Sequence, residues 1–320
     1  MASLDTAERP VSPAVGATAT PRRRKPARKG RQNGKVAWAF LAPFAIVFLV
    51  FLVAPLAYAF YLSLYTKGLA TGERFAGLDN YTRAFTDPKF LSGVWFVIRF
   101  TLVIVPIQMA VSLLAALVLD SLTSRFSKFS RLVIFVPYAI PAVIGALMWG
   151  FLYSPNFGPL NGLFELFNAQ APFLLARDNL FYGLTNVVTW QWAGYYMIII
   201  YAALQGIDPA IYEAARIDGA KNWQIALRIK VPMVSSAMTL ILVFAVIGTL
   251  QFFTEPQVLR PISNGGITDD ITPNVYAFNT AFNYAQVNYA SAIAFALGFV
   301  VFIGVYLFLF ATRKRGGFLK

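Results

Sequence analysis

Six long apolar runs stand out against the polar segments of the chain, and each is long enough to cross a membrane. A membrane helix needs about 20 consecutive apolar residues. The predicted spans cover approximately residues 36–65, 100–119, 132–153, 180–204, 233–254 and 289–312. Prolines such as Pro106, Pro137 and Pro141 fall inside these runs, where membrane helices tolerate kinks. We therefore expect an all-α, polytopic membrane protein with six transmembrane helices.

The first 35 residues have a different composition from everything that follows. They are rich in Pro, Ala, Thr and Arg and hold few large apolar side chains, so they cannot bury enough surface to order themselves. The apolar run that follows is far longer than the 7–15 apolar residues of a signal peptide. We expect residues 1–35 to form a disordered basic tail in the cytoplasm and residues 36–315 to form the six-helix domain.

The distribution of charge predicts the orientation of the chain. Hydrophobic residues make up 58% of it and charged residues only 13%, with a formal net charge of +13. With both termini inside, 20 basic residues lie in predicted cytoplasmic segments, nine of them in the tail, and six lie in predicted outer segments. This asymmetry obeys the positive-inside rule. The excess of positive charge therefore indicates membrane topology, and we expect lipid contact and no nucleic-acid partner.

The chemistry available to the chain is limited because it has no Cys and no His. Disulfides, thiol nucleophiles and the usual metal ligands are excluded. No phosphate-binding loop is present either: Gly30 to Gly34-Lys35 misses the required spacing by one residue. We therefore expect no catalytic residue, no metal and no cofactor.

The segment 207–232, between the fourth and fifth spans, carries strong signals for two short helices. Asp208 is suited to cap a helix that starts with Pro209, and Gly219 is suited to end it in a left-handed conformation. A second helix is predicted from about Lys221 to Ile229, with Pro232 closing it. We expect a helix–turn–helix lying across the membrane surface.

This segment resembles the EAA loop of sugar permeases in ABC importers of the maltose and lactose type. Nine positions match, one of them Ile229 and the others Glu213, Ala214, Ala215, Asp218, Gly219, Ala220, Trp223 and Pro232. The resemblance extends over roughly residues 36–315 and implies the type I ABC importer permease fold. The chain departs from the family at Ala226, where the family often has Phe, and at Val231, where it often has Leu. It also has Asn264-Gly265-Gly266-Ile267 where relatives usually have Gly-Gly-Pro after the fifth span. Leu227 is an alternative to residue 226 for filling the partner's socket.

The resemblance implies the machinery around the chain. In the family, the EAA loop docks in a groove of the ATP-binding subunit, so the loop of this chain would couple transport to that ATPase. It implies a second permease subunit, forming a heterodimer, a dimer of ATP-binding subunits, and an extracytoplasmic solute-binding protein that delivers a sugar. The location implied is the bacterial cytoplasmic membrane.

Polar and aromatic residues in the later spans are the candidates for contact with a solute. Sugar sites combine aromatic faces with a few placed polar groups. The candidates are Asn186, Trp190, Gln191, Tyr195, Gln251, Phe252 and Glu255. An alternative role for them is an interfacial aromatic belt with hydrogen bonds between helices. Glu255 is expected near the outer end of the fifth span, where a structural role and a substrate contact are both open.

Three classes of function are compared for a six-span chain: an ATP-driven importer, a secondary transporter or channel, and a membrane-bound enzyme. An ATP-driven importer of a neutral sugar, a di- or oligosaccharide, fits the loop and the absence of Arg and Lys among the cavity candidates. A secondary transporter or channel should carry ionisable groups near mid-membrane, and none is found there. A membrane-bound enzyme is disfavoured by the missing His and Cys and by the lack of clustered carboxylates.

Overall fold

The computed structural model of the chain describes residues 34–68, 72–121, 125–169 and 171–313. The tail 1–33 and the last seven residues lie outside the described part, so the predicted disorder of the tail stays a prediction. Residues 53–320 group into one compact unit, and residues 1–52 are a separate one. In the first unit, the described part is α1, Gly34–Phe48, continued by most of the π-helical turn Leu49–Val53.

The larger unit is built from helices and one short hairpin. Its helices before residue 170 are α2 (Ala54–Ser63), α3 (Asp79–Thr86), α4 (Pro88–Ser121), α5 (Arg125–Ala139), α6 (Ala142–Leu152) and α7 (Pro159–Glu165). The later helices are α8 (Leu180–Gln205), α9 (Pro209–Ile217), α10 (Asn222–Ile225), α11 (Val231–Met233), α12 (Ser235–Leu250), α13 (Thr254–Leu259), α14 (Pro273–Phe282) and α15 (Val287–Arg313). A π-helical turn, Ala226–Lys230, joins α10 to α11, and a 3₁₀ turn, Arg260–Ile262, follows α13.

Five helices of the described residues are long and apolar enough to cross a membrane, and a sixth span is formed by a bent pair. This agrees with the six predicted spans. The second span is longer than predicted because its helix starts at Pro88, twelve residues before Phe100. Arg99 therefore lies within α4, with its guanidinium 5.6 Å from the ring centroid of Trp95.

The third span is not one helix, because α5 and α6 meet at an angle of 97°. Pro137 lies in the last turn of α5 and Pro141 precedes α6, so two residues that lack a backbone N–H flank the break. Gln191 of α8 satisfies the carbonyl groups freed there. Its side-chain amide donates to the carbonyl oxygens of Pro137 at 3.0 Å and Ile140 at 2.7 Å.

The fifth span is also interrupted, which the apolar pattern did not predict. Helix α12 ends at Leu250, and α13 begins at Thr254 after an irregular stretch of three residues. Residues beside the start of α14 hold this stretch in place. The hydroxyl of Thr272 donates to the carbonyl oxygen of Phe252 at 2.9 Å, and the amide of Asn274 donates to that of Gln251 at 2.8 Å.

The core of the larger unit lies where α4 packs along α8. Phe100, Ile104, Leu184 and Met197 are among its fully buried side chains. Gly194 allows α8 to approach α5 so closely that an added Cβ would lie 1.9 Å from a backbone oxygen of α5. Helix α8 is therefore packed backbone to backbone against α5 of the broken third span.

The predicted outer loop after the first span contains structure that the sequence pattern did not reveal. Strands β1 (Tyr65–Gly68) and β2 (Gly72–Phe75) form an antiparallel hairpin. After α3, the carboxylate of Asp87 accepts hydrogen bonds from the hydroxyls of Tyr276 in α14 and Tyr289 in α15, both at 2.7 Å. These contacts tie α3 and α4 to the last two helices.

Candidate functional site

The loop between α8 and α12, called the elbow here (residues 207–232), begins as the sequence predicts. The side chain of Asp208 accepts a hydrogen bond from the backbone N–H of Ala210 at 2.9 Å, and Pro209 occupies the first turn of α9. Helix α9 ends at Ile217, and Gly219 has a φ of +81°. The predicted cap, short helix and left-handed turn are confirmed.

The second half of the elbow departs from the prediction at its end. The side-chain oxygen of Gln224 accepts from the backbone N–H of Lys221 at 2.7 Å, which starts α10. Pro232 does not close this helix, because the chain continues in helical form to Met233. The N–H of Val231 bonds to the carbonyl of Ala226, the spacing of a π turn. Pro232 then falls in the first turn of α11, where a missing N–H costs little.

The elbow presents apolar side chains on its surface. Ile217 is 87% exposed, Trp223 55% and Leu227 58%. Trp223 and Leu227 are four residues apart and therefore lie on one helical face. Leu227 is exposed and Ala226 is half-buried, so the exposed apolar position lies one residue later than in the family pattern. Such a group of exposed apolar residues is typical of a surface that binds another protein.

The other matched positions are distributed around this apolar face. Glu213, Ala214 and Pro232 are exposed, and Ala215 is half-buried. The one ion pair among the described residues joins Asp120 and Lys230. Glu213 therefore has no cationic partner in this part of the chain. A hollow of about 260 Å³ opens at the turn and is lined by Asp218, Gly219, Ala220, Gln224, Arg228 and Ile229. The arrangement offers a carboxylate, small residues and a hollow to an approaching partner.

A second candidate site is a cavity of about 420 Å³ in the body of the larger unit. Residues on either side of both helix breaks line it, among them Tyr138 and Ala142 at the first break and Gln251 and Thr254 at the second. Irregular backbone at membrane depth is tolerated where it lines a cavity or is buried in protein. The two interruptions of the helices therefore coincide with the cavity.

Aromatic rings form much of the cavity wall. The rings of Tyr138 and Tyr195 stack with centroids 4.4 Å apart, and Trp192 meets Tyr138 edge-on at 5.4 Å. On the opposite element, Phe252 stacks on Phe100 at 4.9 Å. Aromatic walls with a small number of polar groups are suited to an uncharged polar ligand.

Four of the seven predicted solute residues line this cavity, namely Tyr195, Gln251, Phe252 and Glu255. The structure does not bring Asn186, Trp190 and Gln191 there. The amide of Asn186 donates to the hydroxyl of Tyr153 at 2.7 Å, and Trp190 packs edge-on against Trp149 at 5.7 Å. Gln191 holds the break of the third span, as described above. These three residues of α8 therefore lie on the side of the helix that contacts α6 and the break before it.

Glu255 occupies a different environment from the one expected. The prediction placed it in easy reach of water at the outer end of a continuous helix, but its side chain is only 7% exposed. The interruption at residues 251–253 turns the chain, so Glu255 lies in the first turn of α13 and lines the cavity. It is the only charged residue that lines the cavity within the described part of the chain.

Two lining residues were missed as candidates because their signals are tertiary. Tyr138 stands between Pro137 and Pro141, and the proline pair was the available signal that this segment breaks. Gln108 of α4 is fully buried; its amide donates to the carbonyl oxygen of Val188 at 3.2 Å, and its side-chain oxygen has no hydrogen-bond partner among the described residues. A polar residue in the middle of an apolar run was the signal for Gln108.

Comparison with known proteins identifies the family. Residues 108–314 match the model of the "Binding-protein-dependent transport system inner membrane component" family. The chain belongs to this family. As an inner membrane component with several apolar helices, it is a multi-pass protein of the cell membrane.

Relatives of this binding-protein-dependent component are similar over most of their length. The lactose transport system permease protein LacF of Rhizobium radiobacter is 30% identical over 281 residues, which is 87% of this chain and 94% of the relative. The diacetylchitobiose uptake system permease protein NgcF of Streptomyces coelicolor is 28% identical and covers 87% of this chain and 82% of the relative. The probable ABC transporter permease protein YurN of Bacillus subtilis is 31% identical, over 82% and 91% of the two chains.

Solved structures confirm the fold of this inner membrane component. A chain of a bacterial ABC transporter that imports the acidic polysaccharide alginate superposes with a TM-score of 0.76 and 21% identity, covering 88% of this chain and 96% of that one. A chain from an alginate transporter in complex with its periplasmic protein gives a TM-score of 0.74 at 22% identity, over 85% and 92%. The chain has the type I ABC importer permease fold.

Proposed function

We propose that this chain is the non-catalytic permease subunit of an ATP-driven importer and that it admits a neutral sugar, a di- or oligosaccharide, by alternating access. The elbow is the observation that carries the proposal. It combines the nine matched positions with an exposed apolar face and the carboxylate of Glu213, which has no cationic partner in the described part of the chain. A surface of this kind is what a separate ATP-binding subunit needs in order to push on the permease.

The sugar class rests on two independent supports. Two similar proteins are named for lactose and for diacetylchitobiose, and both of those solutes are neutral disaccharides. The cavity has aromatic walls with amide and hydroxyl groups, and among the residues that the structure describes Glu255 is the one charged lining residue, with no Arg or Lys. An anionic solute would need cationic groups there, so an acidic sugar is disfavoured despite the fold shared with alginate importers.

The proposed partners and orientation follow from the same role. One six-span chain supplies half of a translocation path, so we propose a heterodimer with a second permease subunit and a dimer of ATP-binding subunits. A solute-binding protein outside the membrane delivers the sugar. We propose that both termini and the elbow lie in the cytoplasm, and the excess of basic residues in the segments before α1, around the elbow and after α15 supports this orientation.

Uptake of labelled lactose and labelled diacetylchitobiose in a deletion strain tests the proposal. We expect uptake to survive collapse of the proton gradient and to stop when ATP is depleted, which separates an ATP-driven importer from a secondary transporter. Uptake that follows the proton gradient instead would contradict the proposal.

Two variants of the elbow test the docking role. Glu213→Lys and Gly219→Pro should abolish uptake and prevent co-purification of the ATP-binding subunit, while insertion into the membrane stays normal. Glu165→Lys, the same charge reversal at an exposed residue of α7, is the matched control and should retain uptake. Normal uptake in both elbow variants would refute docking at this surface.

A further inference from the structure

A single carboxylate at the C-terminal end of α4 holds both ends of the elbow. One oxygen of Asp120 accepts a hydrogen bond from the side-chain amide of Gln205 at 2.7 Å. The other oxygen forms an ion pair with the ammonium group of Lys230. Gln205 is the last residue of α8, two positions before the elbow, and Lys230 is near the end of the elbow. Asp120 therefore joins α4 to the entry and the exit of this loop.

The contact is shielded from solvent, unlike an ordinary surface ion pair. The side chain of Asp120 is 8% exposed and that of Lys230 is 15% exposed. The ammonium group of Lys230 also lies 4.9 Å from the ring centroid of Tyr212 in α9. Burial, followed by the charge of Asp120, raises the pKa of Tyr212. Exposed ion pairs contribute little because water screens them, but removing one partner of a shielded pair leaves an uncompensated charge.

Helix α4 leads from this contact to the cavity. A stripe of residues at four-residue spacing runs from Asp120 along the face that packs on α8, and the members that follow are all buried. They are Ala116, Ser112, Gln108, Ile104 and Phe100. Gln108 and Ser112 donate to backbone carbonyl oxygens of α8 at 3.2 and 2.9 Å. Gln108 lines the cavity twelve residues from Asp120, about 18 Å along the helix.

We propose that Asp120 is a positioning residue that passes movement of the elbow to the cavity through α4. A shift of the elbow moves Gln205 and Lys230 together, and both act on the same carboxylate. Helix α4 is unbroken by proline over the twelve residues from Asp120 to Gln108 and carries the shift to Gln108, which lines the cavity. The inference rests on the proposed function, because the movement must come from an ATP-binding subunit docked on the elbow.

The absence of Cys makes a direct test of this movement possible. A Cys introduced at Ala142, a residue that lines the cavity, is the only thiol of the chain. In the assembly with its ATP-binding subunits, the rate of labelling by a small thiol reagent is measured with and without ATP. With Asp120 present, we expect ATP to change the labelling rate by about tenfold, within the range of typical coupling between sites.

The variant Asp120→Asn keeps the size and the acceptor oxygen for Gln205 but loses the charge that pairs with Lys230. We expect it to insert, to co-purify with the ATP-binding subunit and to hydrolyse ATP, while ATP no longer changes labelling at residue 142. Lys230→Met should give the same result, and the double variant should be no worse than either single one, because both act on one interaction. Asp120→Glu should restore part of the response. Glu165→Gln, which removes one negative charge from an exposed position, should leave the response intact.

The outcomes separate this inference from the proposed function. If ATP does not change labelling in the chain with Asp120 intact, the proposed function fails. If the intact chain responds and Asp120→Asn responds equally, only the role of Asp120 is overturned. Loss of membrane insertion or of ATP-binding subunits in Asp120→Asn would also overturn it, because the residue would then be needed for assembly rather than for transmission.

Discussion

Substitution of Gly194 by Ala tests how closely α8 must approach the broken third span. An added Cβ at Gly194 would lie 1.9 Å from the carbonyl oxygen of Ile134 and 3.0 Å from the Cα of Phe135. Ordinary contact begins at 3.4 Å. The obstructing atoms are backbone, so a change of side-chain rotamer cannot relieve the clash. The two helices would have to separate by about 1.5 Å, from 1.9 to 3.4 Å.

The cost of this separation exceeds the gain from a better helix former. Ala is favoured over Gly in a helix by about 1 kcal/mol. Overpacking of a close contact costs about 1–3 kcal/mol, and the two hydrogen bonds from Gln191 to α5 and the break contribute about 1 kcal/mol each. We expect a net loss of about 2–4 kcal/mol, which corresponds to a fall in melting temperature of about 3–6 °C for a chain of 320 residues.

The assay is thermal unfolding of the purified protein in detergent, followed by size-exclusion chromatography of the heated samples. Gly298→Ala in α15 is the matched control, because an added Cβ there meets no heavy atom within 4 Å. We expect Gly298→Ala to melt at or slightly above the temperature of the unchanged protein. If Gly194→Ala melts together with Gly298→Ala, the backbone contact between α5 and α8 is not as close as described, and the reasoning is refuted.

Two further predictions concern polar contacts that hold the helices together. Burial raises the pKa of Asp87, but hydrogen bonds from two tyrosine hydroxyls and from the backbone N–H of Lys89, together with the charge of Arg83, outweigh this and leave the pKa below its ordinary value. The ionised carboxylate therefore stabilises the fold above the unfolded pKa of about 3.9, and this contribution is lost as the pH falls through the folded pKa. Asp87→Asn should lower the free energy of unfolding by about 1–2 kcal/mol near neutral pH. In chemical unfolding, the difference between the variant and the unchanged protein should shrink below pH 4. A constant difference down to pH 3 would contradict it. Gln191→Leu leaves two carbonyl oxygens at the break without donors and should lower the free energy of unfolding by about 1–3 kcal/mol. The control is Gln257→Leu, because the amide oxygen of Gln257 has no partner among the described residues, and this variant should melt close to the unchanged protein. Equal melting temperatures of the two variants would contradict the prediction.

The existence and number of the spans could be predicted because crossing a membrane imposes a length on each apolar run. The first half of the elbow could also be predicted, since the cap at Asp208 and the left-handed turn at Gly219 depend on neighbouring residues alone. The end of the second elbow helix could not be predicted, because Pro232 is accommodated by a π turn that the sequence pattern does not indicate. Predictions that rest on local chemistry were therefore more accurate than those that assume regular continuation.

The depth of Glu255 shows why the solute site was only partly predictable. Its expected position came from counting 1.5 Å per residue along an unbroken helix. That rule fails at residues 251–253, where the stretch is held by Thr272 and Asn274 from a distant part of the chain. Asn186 and Trp190 were misleading for a related reason, because a polar or aromatic side chain on a membrane helix serves packing between helices as readily as it serves a ligand.

The two interrupted spans explain why the cavity lies where it does. An unbroken apolar helix satisfies all its backbone groups and offers a ligand only side chains, whereas a break exposes backbone and must be compensated. One break is compensated by Gln191 and the other by Thr272 and Asn274, so each is held by a specific neighbour. Because Gln191 belongs to α8, a movement of α8 relative to α5 would disturb the first break, and a movement of α14 would disturb the second. The cavity wall is thus built from the parts of the membrane domain where regular helix is already interrupted, which suits the alternating access proposed for this chain.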